Sequence, residues 1–159
     1  MKSYNELVAI KRSDLARKKS ELVWITSNKK GFPGQTLRMK FRDYLDQNNF
    51  MYHLFGRGFR IIDDKFDALF PFKYSLAIEN YSTPHYWTEK LADSFLSWCL
   101  PFYWGAENLE DYFPSESFIR IDINHPERAL QIIRDSIANN EWERRLSAIE
   151  IARNKVLND

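Results

Sequence analysis

Between Lys73 and Phe95 the chain reads KYSLAIENYSTPHYWTEKLADSF. An apolar run stops at Glu79-Asn80, a polar turn follows, and the pattern resumes at Tyr86-Trp87-Thr88-Glu89-Lys90. A connection from strand to helix needs one turn residue and one cap. Two acids, an amide, an ammonium and several hydroxyls exceed that need, and together they suit a ligand that is both anionic and hydroxylated. A helix opening at Thr88 leaves backbone N–H groups unpaired, which with the helix dipole favour an anion such as a diphosphate, and Lys90 adds a full charge. The same spacing has a structural explanation, in which Thr88 caps the helix, Glu89 complements its dipole, and Leu91, Phe95 and Trp98 face the core. Residue types alone leave both readings open.

A second candidate cation is Arg57 in HLFGRGFR. Glycines on both sides let the backbone turn sharply and leave the guanidinium free for a bidentate phosphate contact; an ordinary turn with an exposed arginine has the same sequence. A lone Gly-x-Gly fits neither the dinucleotide fingerprint nor the P-loop. Asp63, Asp64 and Asp67 open a helical segment, where acids are favoured without any metal. His53, His85 and His125 have no partner at helical spacing, so a zinc site has no support. Cys99, the single cysteine, sits in the apolar run FLSWCLPFYW and reads as an inert buried thiol in a reducing compartment. Asn80-Tyr81-Ser82 matches a glycosylation sequon that is idle in a cytoplasmic protein.

The elements that must position these groups follow from composition and periodicity. The 159 residues are 44% apolar and 28% charged, which permits one well-formed core. Net charge is +1, so no global field draws the chain to nucleic acid or an acidic membrane, and KRSDLARKK remains a solvated basic face. No apolar run reaches the length of a membrane span, and the N-terminus is charged where a signal peptide would be apolar; the expectation is a cytoplasmic protein.

Residues 1–20 predict a short amphipathic helix and a polar joint at RKKS. LVWITS then reads as a strand, GFPG as a turn, and QTLRMKFRDYLDQ as a helix with Leu37, Phe41, Tyr44 and Leu45 on one stripe. The unit recurs as FMYHLF before DDKFDALF, YSLAI before a helix from Thr88 to Trp98, and LPFYW before a helical AENLEDYF. A last strand, SFIRID, precedes Pro126 and two charged helices. This alternation predicts an α/β fold, a Rossmann-like parallel sheet with helices on both faces. Ligands in such folds bind at the carboxyl ends of the strands, where Glu79 and Asn80 lie.

Taken in order, YSLAIENYSTPHYWTEKLADSFLSWCLPFYWG and YFPSESFIRID resemble the C-terminal half of the α-1,3-fucosyltransferases, family 10 of the glycosyltransferases. The family's Phe-Glu-Asn appears with Ile78 before Glu79-Asn80, its Tyr-x-Thr-Glu-Lys as Tyr86 to Lys90, its Pro-x-x-x-Gly as Pro101 to Gly105, and its Ser-Phe-Ile as Ser117 to Ile119. The resemblance implies the C-terminal half of a two-domain GT-B enzyme that binds GDP-L-fucose. It places Arg57 and Lys90 at the diphosphate, Glu89 at the ribose hydroxyls, and Asn80 and Tyr86 in the wall nearby, with Glu79 and Thr88 on the same donor edge. No cofactor and no metal are implied. Residues 1–20 become a linker or N-terminal helix and residues 21–159 the donor domain. The N-terminal acceptor-binding domain, which carries the general base and meets the oligosaccharide acceptor, is expected to be absent. Inverting transfer would then be incomplete in this chain alone, and a non-catalytic nucleotide-sugar binding module or an inactive remnant is the alternative.

Overall fold

The run Leu22-Val23-Trp24-Ile25 has no polar residue to turn outward, the pattern of a strand covered on both faces. In the computed structural model, which describes residues 1–158, it lies in β1 (Lys19–Ile25). With β2 (His53–Phe55), β3 (Phe72–Ile78), β4 (Leu100–Trp104) and β5 (Ile119–Arg120) it forms one parallel sheet in the order β2-β1-β3-β4-β5. The expected α/β class and parallel sheet are present. The outer strands are shorter than FMYHLF and SFIRID suggest, because an edge strand is held by one neighbour only. AENLEDYF yields a single 3-10 turn at Leu109–Asp111 in place of a helix.

Side chains alternate across this sheet as the pleat requires. Leu22, Trp24, Tyr74, Leu76, Ile78, Leu100 and Phe102 meet α2 (Pro33–Gln47) and α5 (Pro126–Ala138) on one face. Ala77 and Tyr103 meet α4 (Glu89–Leu96), and Val23 meets α3 (Lys65–Leu69), on the other. The last helix, α6 (Glu141–Asn158), starts at the amino ends of β3 and β4: the Trp142 indole donates to the Trp98 carbonyl at 2.8 Å, and its backbone N–H to the Tyr74 hydroxyl at 3.2 Å. It then runs along α4.

Two expectations change. Trp98 does not continue α4: it follows the last turn in the left-handed conformation (φ 58°), where glycine is usual, and its buried ring under Arg153 holds it there. Nor is RKKS a polar joint. Lys18 is buried, with Nζ donating to the carbonyls of Phe70 and Ser97, and β1 begins at the next residue. The short helix α1 (Tyr4–Ala9) is docked through buried Leu7, whose carbonyl accepts from Arg153. No helix among the described residues is long and apolar enough to cross a membrane.

Burial depresses the Lys18 ammonium to about 8 from an ordinary 10.5. A depressed lysine contributes stability that is full above the unfolded value and lost as pH falls through the folded one. Urea unfolding at stepped pH should therefore show wild type gaining on Lys18→Met between pH 8 and 10.5, by up to about 3 kcal/mol. Parallel pH profiles for the two proteins would show that this ammonium is not desolvated.

Candidate functional site at the carboxyl edge of the sheet

The strand order reverses between β1 and β3: the chain leaves β1 through α2 toward β2 on one side, and leaves β3 through α4 toward β4 on the other. The starts of α2 and α4 therefore lie on opposite faces, and a crevice opens between them at the carboxyl edge. Glu79 and Asn80 end β3 at this point.

Glu79 is completely buried. Its backbone N–H continues the ladder to Trp104 O at 2.9 Å, and its carboxylate faces α4. Oε1 accepts from the Thr88 backbone N–H at 2.9 Å, Oε2 from the Thr88 hydroxyl at 2.7 Å, and Lys90 Nζ lies 3.6 Å from Oε2. Burial pushes this carboxyl above its ordinary range, opposed by the Thr88 bonds and the Lys90 charge. The Thr88 hydroxyl in turn accepts from the Lys90 backbone N–H at 3.3 Å and caps α4. Gly105 makes room for the arrangement, since a Cβ there would stand 2.5 Å from Glu79 Cγ.

The loop between β3 and α4 is tied down as well. Tyr103 donates its hydroxyl proton to the Tyr86 carbonyl at 3.3 Å, Ser82 donates to Gly105 O at 3.0 Å, and the His85 N–H reaches Asn108 Oδ1 at 2.7 Å. Much of the polar surplus in this stretch thus holds the loop and helix to the sheet. Glu79 lies beneath the site and Thr88 at its edge. What reaches solvent is Glu89, 60% exposed, Lys90, 25% exposed, and the half-buried Tyr86 and Asn80. Burial raises the Glu89 carboxyl, but Lys90 at 3.6 Å and Lys65 at 4.0 Å outweigh it and hold the group below its usual range, so it is an ionised acceptor at neutral pH.

Arg57 is brought to the same edge. Gly56 (φ 119°) and Gly58 (φ 88°) need left-handed backbone, and a Cβ on Gly56 would sit 1.8 Å from Thr26 O. The turn therefore packs directly on the end of β1, where the Asn28 N–H donates to Arg57 O at 3.1 Å. The exposed Arg57 side chain shares a cleft of about 500 Å³ with Thr26, Ile62, Asp63, Glu89 and Asp93. Asp64 caps α3 through the Phe66 N–H at 2.8 Å, and Asp67 pairs with Lys2 at 3.1 Å. Among the described residues no three acidic, histidine or cysteine side chains are grouped as metal ligands.

The sequence reading missed Arg38. It rises from α2 on the opposite side of Asn80, is only 3% exposed, and donates from Nη1 to Asn80 Oδ1 at 2.7 Å. Its Nε is buried without a partner, and among the described residues it makes no ion pair. Burial depresses this guanidinium, partly offset by the Glu79 charge. α2 reaches so close to β3 because Gly34 lies against the Asn80 carbonyl, where a Cβ would be 1.8 Å away. The sequence held one signal: Gly34, Arg38, Phe41 and Leu45 form a buried helical stripe, and an arginine within such a stripe is anomalous.

An open parallel sheet of this order, with helices on both faces, has the α/β architecture of one half of a GT-B glycosyltransferase. The chain belongs to glycosyltransferase family 10, the fucosyltransferases, whose C-terminal model matches residues 15–142. It is 28% identical over 134 residues to the mouse and human proteins named 4-galactosyl-N-acetylglucosaminide 3-alpha-L-fucosyltransferase 9, an alignment covering 80% of this chain and 36% of each relative. A Helicobacter pylori alpha-(1,3)-fucosyltransferase, FucT, is 30% identical over 74 residues, 46% of this chain and 16% of that one. A crystal structure of an alpha1,3-fucosyltransferase with GDP superposes with a TM-score of 0.70 at 20% identity, covering 98% of this chain and 52% of that one. Another, with GDP-fucose, superposes at 0.65 and 21%, covering 91% and 48%. The chain thus spans about a third of these curated animal relatives and about half of these solved proteins.

Thr88→Val should remove the cap and leave a buried carboxylate short of a donor, lowering stability by about 2 to 3 kcal/mol. Thr88→Ser should restore most of it. Thermal melting checks both, and an unshifted valine variant would show that Glu79 does not depend on this hydroxyl.

Proposed function

We propose that this chain binds GDP-L-fucose at the carboxyl edge of its sheet and acts as the donor-holding part of an inverting fucosyltransferase. The observation that carries the reading is Arg38, a buried cation without an ion pair, fixed to Asn80 at the point where the strand order reverses. Burying an unpaired charge opposes folding, so such a group is understandable when a ligand supplies its counter-charge. A diphosphate does so, with the Lys90 ammonium on its other side. The ionised Glu89 suits ribose hydroxyls, and the cleft that it shares with Arg57 and Ile62 offers room for the rest of the nucleoside. Asn80 and Tyr86 complete the wall.

In transfer, negative charge develops on the departing GDP, and Arg38 and Lys90 are placed to stabilise it. A base must also take the acceptor's hydroxyl proton. Glu79 is buried and engaged by Thr88, and Glu89 is held by two lysines, so neither carboxylate serves. The base in this reading comes from outside the donor edge, from the acceptor-binding part of a two-domain enzyme.

Lys90→Ala and Arg38→Met should each weaken GDP binding by about 10- to 150-fold in calorimetry, the loss of one charge-assisted phosphate bond. Arg38→Met should stay folded, since an unpaired buried cation stabilises little. Chelating divalent metal should leave the affinity unchanged. Unaltered GDP binding in both variants would remove the diphosphate from this crevice.

Mass spectrometry of N-acetylglucosamine- and glucose-containing acceptors incubated with GDP-fucose tests the division of labour. The 159-residue chain should yield no fucosylated product, and product should appear when a cognate acceptor-binding half is fused ahead of Met1. Efficient turnover by the chain alone would place the base within it. GDP-fucose binding with no product in the fusion would favour a binding module.

A further inference from the structure

A second concavity, larger than the nucleotide cleft, runs along the same edge in the opposite direction. It is a trough of about 1130 Å³ between the end of β5, the first turns of α5 and the side of α2. A smaller hollow of about 260 Å³ adjoins it, shares Arg120, Ile121, Asp122 and Asn124 with it, and ends at Ser82 and Gly105. Ser82 belongs to the loop that carries Tyr86 and is bonded to Gly105 O at 3.0 Å. Through this hollow the trough reaches the loop that carries Tyr86.

Its lining indicates a chemical class. The floor is apolar, from Ile121, Ile132 and Ala129, with the amphipathic ring of Tyr44 at the side. The rim has fixed polar groups. Asp122 accepts from the Asn124 N–H at 2.9 Å and Nδ2 at 3.0 Å, and its other oxygen lies 2.8 Å from His125 Nδ1. Both Asn124 and His125 are exposed, and Nε2 of His125 has no partner among the described residues. Charges balance: Arg120 and Arg128 stand against Asp122 and Glu127, and Arg120 is already held by Glu110 at 2.6 Å. A long trough without net charge, with an apolar floor and oriented donors and acceptors on its rim, suits neither a phosphate chain nor a wholly apolar ligand. It suits a neutral oligosaccharide, whose pyranose rings present C–H faces to the floor and hydroxyls to the rim.

We propose that this trough binds the non-reacting sugars of a neutral oligosaccharide acceptor and directs the glycan toward the loop at Ser82. The inference rests on the donor-site reading and extends it, since it gives the donor half of the enzyme its own share of acceptor recognition.

The test uses the chain itself, isotopically labelled, titrated with GDP and separately with a 4-galactosyl-N-acetylglucosaminide tetrasaccharide while amide resonances are followed. The glycan should shift the amides of residues 121–132, and GDP those around Lys90. Asn124→Ala and His125→Ala, both at exposed positions, should each weaken the glycan by roughly 5- to 10-fold, one hydrogen bond's worth, and leave GDP affinity unchanged. Gln131→Trp, which fills the trough from an exposed position, should abolish glycan shifts in a protein that still binds GDP. Glycan shifts located elsewhere, or equal in the three variants and wild type, overturn the proposal, as does the absence of shifts at saturating glycan. If GDP binds in that case, the donor reading survives; if GDP also fails to bind, that reading falls separately.

Discussion

The carboxylate of Glu79 joins the end of β3 to the start of α4, and the geometry of the carboxyl edge depends on that junction. A fully buried acid is costly unless its oxygens are occupied. Here the Thr88 amide and hydroxyl occupy both oxygens, and Lys90 supplies nearby charge. The bonds act twice, because the hydroxyl that satisfies Glu79 also caps the helix. The first turn of α4 is thereby held against the sheet, with Glu89 and Lys90 at fixed height above it. Gly105 and Tyr103 extend the same constraint to the next strand: one leaves space for Glu79, and the other pins the loop through Tyr86.

Opposite this junction stands a group that stability alone would not select. Arg38 lies in an otherwise apolar stripe of α2, fixed to the sheet edge by Asn80 and left without a counter-ion. Positive charge arranged in advance at a water-poor edge needs no rearrangement when an anion arrives or when charge builds up in a reaction. The close approach of Gly34 to Asn80 brings it there, so backbone packing and electrostatics share one cause. Glu79 and Arg38 also lie within electrostatic reach of each other, which moderates the penalty of burying either.

Much of the architecture was legible because local pattern and tertiary environment agree. β1, β3 and β4 are near-continuous apolar runs that only a doubly covered sheet accommodates, and Thr88 and Pro126 mark helix starts by their chemistry, whereas Pro33, within the turn expected at GFPG, already opens α2. The weaker readings fell where one neighbour decides. β5 is two residues long at the sheet's edge, AENLEDYF lacks a continuous apolar face, and Trp98 takes a glycine-like conformation because burying its indole outweighs the backbone strain.

The sequence by itself determined that a strand ends at Glu79-Asn80, that a capped helix opens at Thr88, and that the series of short motifs is that of the C-terminal part of the family 10 fucosyltransferases. These are properties of adjacent residues. Which cations meet at the crevice was left to the tertiary structure. Arg57 stands out because glycines flank it, whereas Arg38 lies in a helix with other basic residues. Spacing along the chain says which face of α2 an arginine occupies, but strand order decides that this face ends against Asn80. The reversal between β1 and β3 joins groups 42 positions apart in sequence, and no local pattern encodes that distance.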